Sequence, residues 1–400
     1  MREKLNDVEF FERTNLRPLN EQEERQAVDD YITALKDGLD THGEKGLPMY
    51  PSLLSSVSLS DLREGSQALI VEIGGTNLYG ARVAIENSKP SIQDSQRAAL
   101  PGREFRSADE FFAHIANGVA PMLDQGNIDA IGIVYSFPGQ AVKTDGGVDI
   151  VSPEQLTKEF VIPGISKLPV GQALRESLSQ NYGIDANTPT SVMNDTVAVV
   201  FSDGAKLGGV VGTGFNLAAD TPNGVINTES GSFSGFPLNE LAKIVDRQSG
   251  RSGMTGKYLA EKQISGLWLG QQMEIVAQEL SREGIPHIPS NLDSETITNL
   301  LITTQGNPML IEAAERLRNR SAQLVGVMIA GITKAFPETF TEEQLQIPVE
   351  GSLFWKVPGY KEIAQEVAKR LTQKSIHFVN IEEAGRIGAA VAALGNANKR

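Results

Sequence analysis

Two glycine-centred turns constrain this chain more than any other feature, because each closes an apolar run of strand length. The first, Gly74-Gly75-Thr76-Asn77, follows the run 68–73 and precedes a second β-like run at 81–85. The second, Gly212-Thr213-Gly214-Phe215-Asn216, sits within a strand-like stretch at 210–218. Further strands are expected at 130–137, closed by Pro138, at 190–193, and late in the chain at 347–353 and 376–381. Helical spacing predicts a helix over 21–39, with Ala27, Tyr31, Leu35 and Leu39 on one face. Others are expected at 195–205, 309–336, 361–372 and 388–394. Strand clusters that alternate with helices specify an α/β fold.

At 400 residues the chain exceeds what one ordinary core serves, so two lobes are expected. A net charge of −14 argues against a nucleic-acid partner, which needs a clustered basic surface. With no cysteine, disulfides, thiolate metal sites and cysteine nucleophiles are excluded, and a reducing cytoplasm fits. Residues 1–20 carry no secretory pattern. The longest apolar stretch, 324–332, is broken by Gly326 and Gly331 and falls far short of the ~20 residues of a membrane span. No membrane partner is expected.

Paired glycines after a strand let backbone N–H groups approach an anion, and Thr76 and Asn77 add side-chain donors. Glu72, two positions earlier, suits a hydrated Mg²⁺. The same residues equally make an ordinary hairpin turn. The second glycine turn offers another phosphate cradle, and two such loops suggest a phosphate held between lobes. Neither standard nucleotide fingerprint is present. The nearest approach to a P-loop, 251–258, has Arg251 in place of the first glycine and Tyr258 after Lys257.

Asn194-Asp195-Thr196 falls at a strand-to-helix junction, where the Asp reads as an N-cap or as a general base. The four histidines, His42, His114, His287 and His377, lie outside these motifs, so acid–base chemistry would fall to a carboxylate. Ser136, Thr157, Lys158, Asn194, Asn216, Glu229 and Glu261 are the polar, acidic and amide types that sugar hydroxyls require. Taken singly, each reads more readily as surface or cap.

At these residues the chain resembles hexokinases of the actin-like kinase superfamily, in register from about Asp29 to Leu394. The matching segments arrive in family order. They are Leu47-Pro48-Met49-Tyr50-Pro51, Gly74-Gly75-Thr76-Asn77, Ser136-Phe137-Pro138 with Gln140, and Leu156-Thr157-Lys158-Glu159-Phe160. Asn194-Asp195-Thr196-Val197, Gly212-Thr213-Gly214-x-Asn216, Asn227-x-Glu229-x-Gly231-x-Phe233 and the Glu261–Gly270 segment follow, then Gly351-Ser352-Leu353 and Gly388-Ala389-Ala390.

The resemblance implies a two-lobed, ribonuclease-H-like α/β fold with a cleft between a small and a large lobe. The small lobe would be 68–201 with a C-terminal helix at 386–400. The large lobe would be 202–385, with 1–67 as an arm and helix packed on it. It implies ATP, Mg²⁺ and a hexose, with transfer to the 6-hydroxyl of D-glucose first, then mannose or fructose, by a monomer or homodimer. Asp195 would be the base. Ser136, Thr157, Lys158, Asn194, Asp195, Asn216, Glu229 and Glu261 would hold the sugar. Gly74, Gly75, Thr76, Asn77, Gly212, Thr213, Gly214, Gly351 and Ser352 would hold the nucleotide, and Glu72 would reach the metal through water. Departures from the family pattern are Glu72 for Asp, Tyr79 for Arg, Leu156 for Trp, Glu159 for Gly, Ser230 for Trp and Glu350 for Asp. They open one alternative, a sugar-binding sensor with reduced or lost catalysis; phosphate loops shared on the same fold open a second, an actin-like ATPase.

Overall fold

A computed structural model describes residues 7–74, 77–100, 102–123, 126–137, 139–153, 156, 160–282 and 292–398. The strands are β1 Tyr50–Pro51, β2 Gln67–Ile73, β3 Asn77–Glu86, β4 Lys89–Ala99, β5 Ala130–Tyr135, β6 Gln140–Thr144, β7 Gly147–Val151, β8 Thr190–Met193, β9 Leu207–Val211, β10 Phe215–Thr221, β11 Gly224–Asn227, β12 Gln344–Glu350 and β13 Ser375–Val379. The helices are α1 Asp7–Thr14, α2 Glu21–Asp40, α3 Ala108–Val119, α4 Val170–Tyr182, α5 Asp195–Phe201, α6 Glu240–Gln248, α7 Glu261–Ile264, α8 Gly266–Arg282, α9 Ser294–Thr303, α10 Pro308–Ala335, α11 Ser352–Lys356, α12 Tyr360–Thr372 and α13 Ala384–Ala397. The chain divides into two compact units. One comprises Met1–Met49, Gly209–Leu217 and Thr228–Asn380; the other comprises Tyr50–Gly208, Ala218–Asn227 and Ile381–Arg400.

The second unit is built on a seven-stranded sheet, β4-β3-β2-β5-β8-β7-β6. Strands β2, β5, β8 and β7 run parallel, with β3 and β4 antiparallel on one side and β6 antiparallel on the other. Because side chains alternate along a strand, β2 and β5 feed two separate cores. Ala68, Ile70, Ala130 and Val134 join α5 and α13 on one face. Leu69, Val71, Ile73, Ile131, Ile133 and Tyr135 join α3 and α4 on the other. Strands covered on both faces read as continuous apolar runs, as 68–73 does. Helix α13 can lie close only because its contact residue is Gly388, where a Cβ would come within 1.7 Å of the Ala198 carbonyl oxygen of α5.

The first unit is organised around α10, whose 28 residues start from an Asn307 N-cap on Met309 N at 2.9 Å and Pro308 in the first turn. Gly326 of α10 admits the backbone of α12, and Gly331 admits the ring of Tyr31 from α2. Helix α2 begins with a capping box between Asn20 and Glu23. Strand β12 pairs in parallel with β13 and, through Val349 and Glu350, with Gly209 and Val210 of β9. The six-stranded sheet runs β1-β11-β10-β9-β12-β13.

The strand-like stretch at 210–218 proves to be two strands, β9 and β10, flanking the glycine turn. Strand β4, the β6–β7 hairpin and helices α1, α3 and α4 carry no expectation above; β4 is a largely exposed edge strand with polar residues on both faces. Among the described residues no helix is long and apolar enough to cross a membrane.

Candidate active site

In the second unit the expected residues stand at the carboxyl ends of three neighbouring parallel strands, the end where open α/β sheets bind ligands. Strand β2 ends at Ile73 and leads into Gly74, whose N–H donates to the Asn77 carbonyl at 3.0 Å. Strand β5 ends at Tyr135, and the Ser136 N–H donates to the Ile73 carbonyl at 3.2 Å, so these two ends are tied. Strand β8 ends at Met193, paired with Val134, and Asn194 and Asp195 follow. Asn194 Oδ1 accepts from Thr196 N at 2.9 Å and caps α5. Asp195 Oδ1 accepts from the same N–H at 2.7 Å and from Thr196 Oγ1 at 3.2 Å. The N-cap is Asn194 rather than Asp195, which is the first residue of α5; Asp195, half-buried, is oriented by its neighbour.

Glu72 is committed to an ion pair. Arg386, from the first turn of α13, donates Nε to Glu72 Oε2 at 2.8 Å and also pairs with Glu383. The same guanidinium lies 4.2 Å from the ring centre of Tyr79, and Arg97 lies 5.9 Å from that ring while donating to Asn77 Oδ1 at 2.7 Å. Tyr79 stands where an arginine was expected, and two arginines from elsewhere in the chain attend it. Gly75, Thr76, Thr157, Lys158 and Glu159 lie outside the described residues.

In the first unit, Asn216, Glu229 and Glu261 come together. Asn216 Oδ1 accepts from Leu217 N at 2.8 Å and Ser230 N at 3.0 Å, which fixes the amide with Nδ2 as its donor end. Glu229 occupies a left-handed backbone conformation, φ 50°, before the turn Ser230–Ser232. Glu261 opens α7 with its carboxylate against two glycines: Oε1 lies 3.3 Å from where a Cβ on Gly214 would be, and Oε2 3.4 Å from one on Gly231. Burial and the neighbouring Glu229 charge push Glu261 up to about 7, against the pull of the Phe215 N–H and Lys262. Lys262 is fully buried and spends its ammonium elsewhere, on Asp246 at 2.7 Å, Ser249 Oγ at 2.9 Å and the Met254 carbonyl at 2.6 Å.

The second glycine turn and the late Gly351-Ser352 segment also meet. A Cβ on Gly351, φ 124°, would fall 2.2 Å from the Val211 carbonyl oxygen, so only glycine fits there. The N-terminus of α8 clasps the turn, Gly266 N donating to the Gly212 carbonyl at 2.8 Å. Beside it opens a cavity of about 570 Å³ lined by Ser352, Leu353, Lys356, Asp293, Ser294 and Thr298, among others. Of these Ser352 was the expected nucleotide residue and Leu353 belongs to the same motif; Lys356, Asp293, Ser294 and Thr298, on α11, α9 and its cap, belong to no motif with a local signature.

Two family models, both described as hexokinase, match residues 14–204 and 292–395, together well over half of the chain. This chain belongs to the hexokinase family. Members of that family are sugar kinases, phosphotransferases that use ATP. The chain is 25% identical to a hexokinase of Kluyveromyces lactis, over 92% of this chain and 88% of that one. It is also 25% identical to hexokinase-2 of Rattus norvegicus, over 88% of this chain but 44% of the relative, so it spans about half of that protein. A solved structure of hexokinase from Schistosoma mansoni complexed with glucose superposes with a TM-score of 0.77 at 22% identity, covering 98% of this chain and all of that one, 100%. A second hexokinase structure gives 0.80 at 19% identity, covering 98% of each. The fold is the two-lobed actin-like sugar kinase fold.

Mg²⁺ takes one or two carboxylates plus phosphate oxygens and keeps several waters. Among the described residues no group of three acidic or histidine side chains could cage a metal. Glu72 and Asp195 are the acidic residues at the strand ends, and two carboxylates are the number that such an ion takes.

Proposed function

We propose that this chain transfers the γ-phosphoryl group of ATP to the 6-hydroxyl of a hexose, D-glucose first, giving hexose 6-phosphate and ADP. The observation that carries the reading is the grouping of Glu229, Glu261 and the fixed amide of Asn216. Two carboxylates and one amide donor against glycine backbone match a polyhydroxyl ligand, and a site so built rejects ligands that leave its groups unpaired. An ATPase without a sugar has no use for them.

Phosphoryl transfer asks the protein mainly for positioning and charge neutralisation. Asp195 accepts the proton of the attacking hydroxyl. Thr196 orients its Oδ1, leaving Oδ2 for the proton. Asn216 donates to one sugar oxygen, while Glu229 and Glu261 accept from hydroxyls away from the reacting one. Ser136 and Asn194, at the strand ends, complete the sugar contacts together with Thr157 and Lys158. The backbone of the two glycine turns receives the phosphates, and Ser352 with the 570 Å³ cavity receives the nucleoside. Glu72 and Asp195 are the residues that would hold Mg²⁺, which when bound would supply neutralisation of the phosphate oxygens. A cytoplasmic location, as a monomer or homodimer, suits a cysteine-free acidic chain.

One observation favours the sensor reading: the ion pair of Glu72 with Arg386 competes with a metal role. Incubating the purified protein with ATP-Mg²⁺ and a panel of hexoses, and following ADP, separates the readings. Hexose-dependent ADP is expected. Hexose binding without ADP would leave a sensor, and ADP release indifferent to hexose would leave an ATPase.

A further inference from the structure

We infer that Tyr31, on α2, is a positioning residue for the sugar-binding turn at Glu229, acting through a one-way chain of buried hydroxyls. The inference rests on the hexose-binding role proposed for Glu229.

Glu229 holds φ 50° and ψ 42°, a backbone region that a side-chain-bearing residue keeps only when its surroundings over-determine it. What holds it is Ser230, which is completely buried. The Ser230 N–H is on Asn216 Oδ1 at 3.0 Å, so the turn and the amide are fixed by the same residue. Ser230 Oγ lies 2.5 Å from Thr228 Oγ1 and 2.5 Å from the Tyr31 phenol oxygen. Thr228 Oγ1 in turn lies 2.7 Å from the Leu217 carbonyl oxygen.

Each hydroxyl has one proton, and a carbonyl only accepts. Thr228 must therefore donate to Leu217. Ser230 must donate to Thr228, and Tyr31 must donate to Ser230. Every link points one way, from α2 to the residue after Asn216, and Tyr31 is the terminal donor. Burial raises the phenol well above its ordinary pKa, so the proton stays in place. The ring is seated as firmly as the hydroxyl. It meets Phe233 edge-on at 5.0 Å and lies over Gly331 of α10, where a Cβ would come within 2.5 Å of its Cδ1. Phe233 belongs to the same segment as Glu229, so the ring and the hydroxyl of Tyr31 both grip the turn that carries the carboxylate.

The test is Tyr31→Phe, which removes the terminal donor and keeps the ring. Hexose KM should rise about threefold to tenfold, the effect of one lost neutral hydrogen bond, while kcat and the KM for ATP stay at wild-type values. Ser230→Ala breaks the same chain from its middle without touching α2, and reads the link even if the Phe variant folds poorly. The double variant should be no worse than Ser230→Ala alone, because the two changes act through one network. Leu35→Ala is the control: it is buried on the same helix, outside the chain, and should lower the thermal midpoint without moving hexose KM. Calorimetric hexose binding replaces KM if no turnover is found. Wild-type protein that binds no hexose overturns the proposed function and this inference with it. Wild-type binding unchanged in Tyr31→Phe and Ser230→Ala overturns the inference alone.

Discussion

At the scale of single residues, the two acidic roles differ in what they should do with pH and mutation. Glu261 is raised from 4.5 to about 7 because it is buried beside Glu229. Sugar hydroxyls donating to it favour its charged form, so hexose affinity should climb as pH rises through about 7, and binding at neutral pH should release a proton. Calorimetry in buffers of different ionisation enthalpy measures that proton. Glu261→Gln should abolish the pH dependence and weaken the hexose by about 1.5–3 kcal/mol, the range for bonds to a charged partner. Folding stability of the free protein should show the opposite slope. Between 4.5 and about 7 the native state holds a proton that the unfolded chain has lost, so this residue's contribution to stability is full below 4.5 and gone above about 7. Asp195→Asn keeps the shape of the proposed base and removes its proton acceptor; kcat should fall at least ~10²-fold, with hexose binding retained. Single-turnover ADP release checks it. Asn216, Glu229 and Glu261 were legible because each sits in a short motif. Arg386 on Glu72 and Tyr31 on Ser230 were not, since 314 and 199 positions separate the partners and neither has a local signature.

Among the elements, α13 has the tightest seat. A Cβ at Gly388 would overlap the α5 backbone, which no rotamer change relieves. Gly388→Ala should cost at least ~2 kcal/mol, within the range for overpacking, and lower the denaturant midpoint. Gly102→Ala, where nothing stands within 4 Å, should leave that midpoint in place. Elements with a strong apolar period were readable: β2, β5, β8, α2 and α10 lie close to their expected bounds. Strand β4 was not, because its eleven residues, KPSIQDSQRAA, face water on an edge and show no alternation. The β6–β7 hairpin, with the five-residue strands QAVKT and GVDIV, is too short to announce a period. The 210–218 stretch misled for a different reason: its apolar residues belong to two strands, and only the glycines between them mark the break.

For the whole molecule, the decisive fact is that neither unit is a continuous stretch of chain. Removing residues 381–400 takes Ile387 through Leu394 out of the core that Ile70, Val134 and Val197 share. That deletion should abolish the cooperative unfolding transition of the second unit while leaving the helical signal of α10 and α12, as read by circular dichroism and hydrogen exchange. The two-lobed architecture was legible from length and from two glycine turns in separate regions. The strand-level interleaving was not, because chain crossings within β9 and β10 leave no mark in hydropathy. It has a consequence for synthesis. A ribosome reads β2, β5 and β8 long before it reaches α13. Throughout that interval the nascent sheet has its Leu69 face covered by α3 and α4, and its Ile70 face covered only in part, by α5. A half-covered sheet is a sticky intermediate at cellular concentrations. The late glycine helix is therefore also a timing element: the second lobe cannot finish folding until Gly388 and its neighbours have left the ribosome.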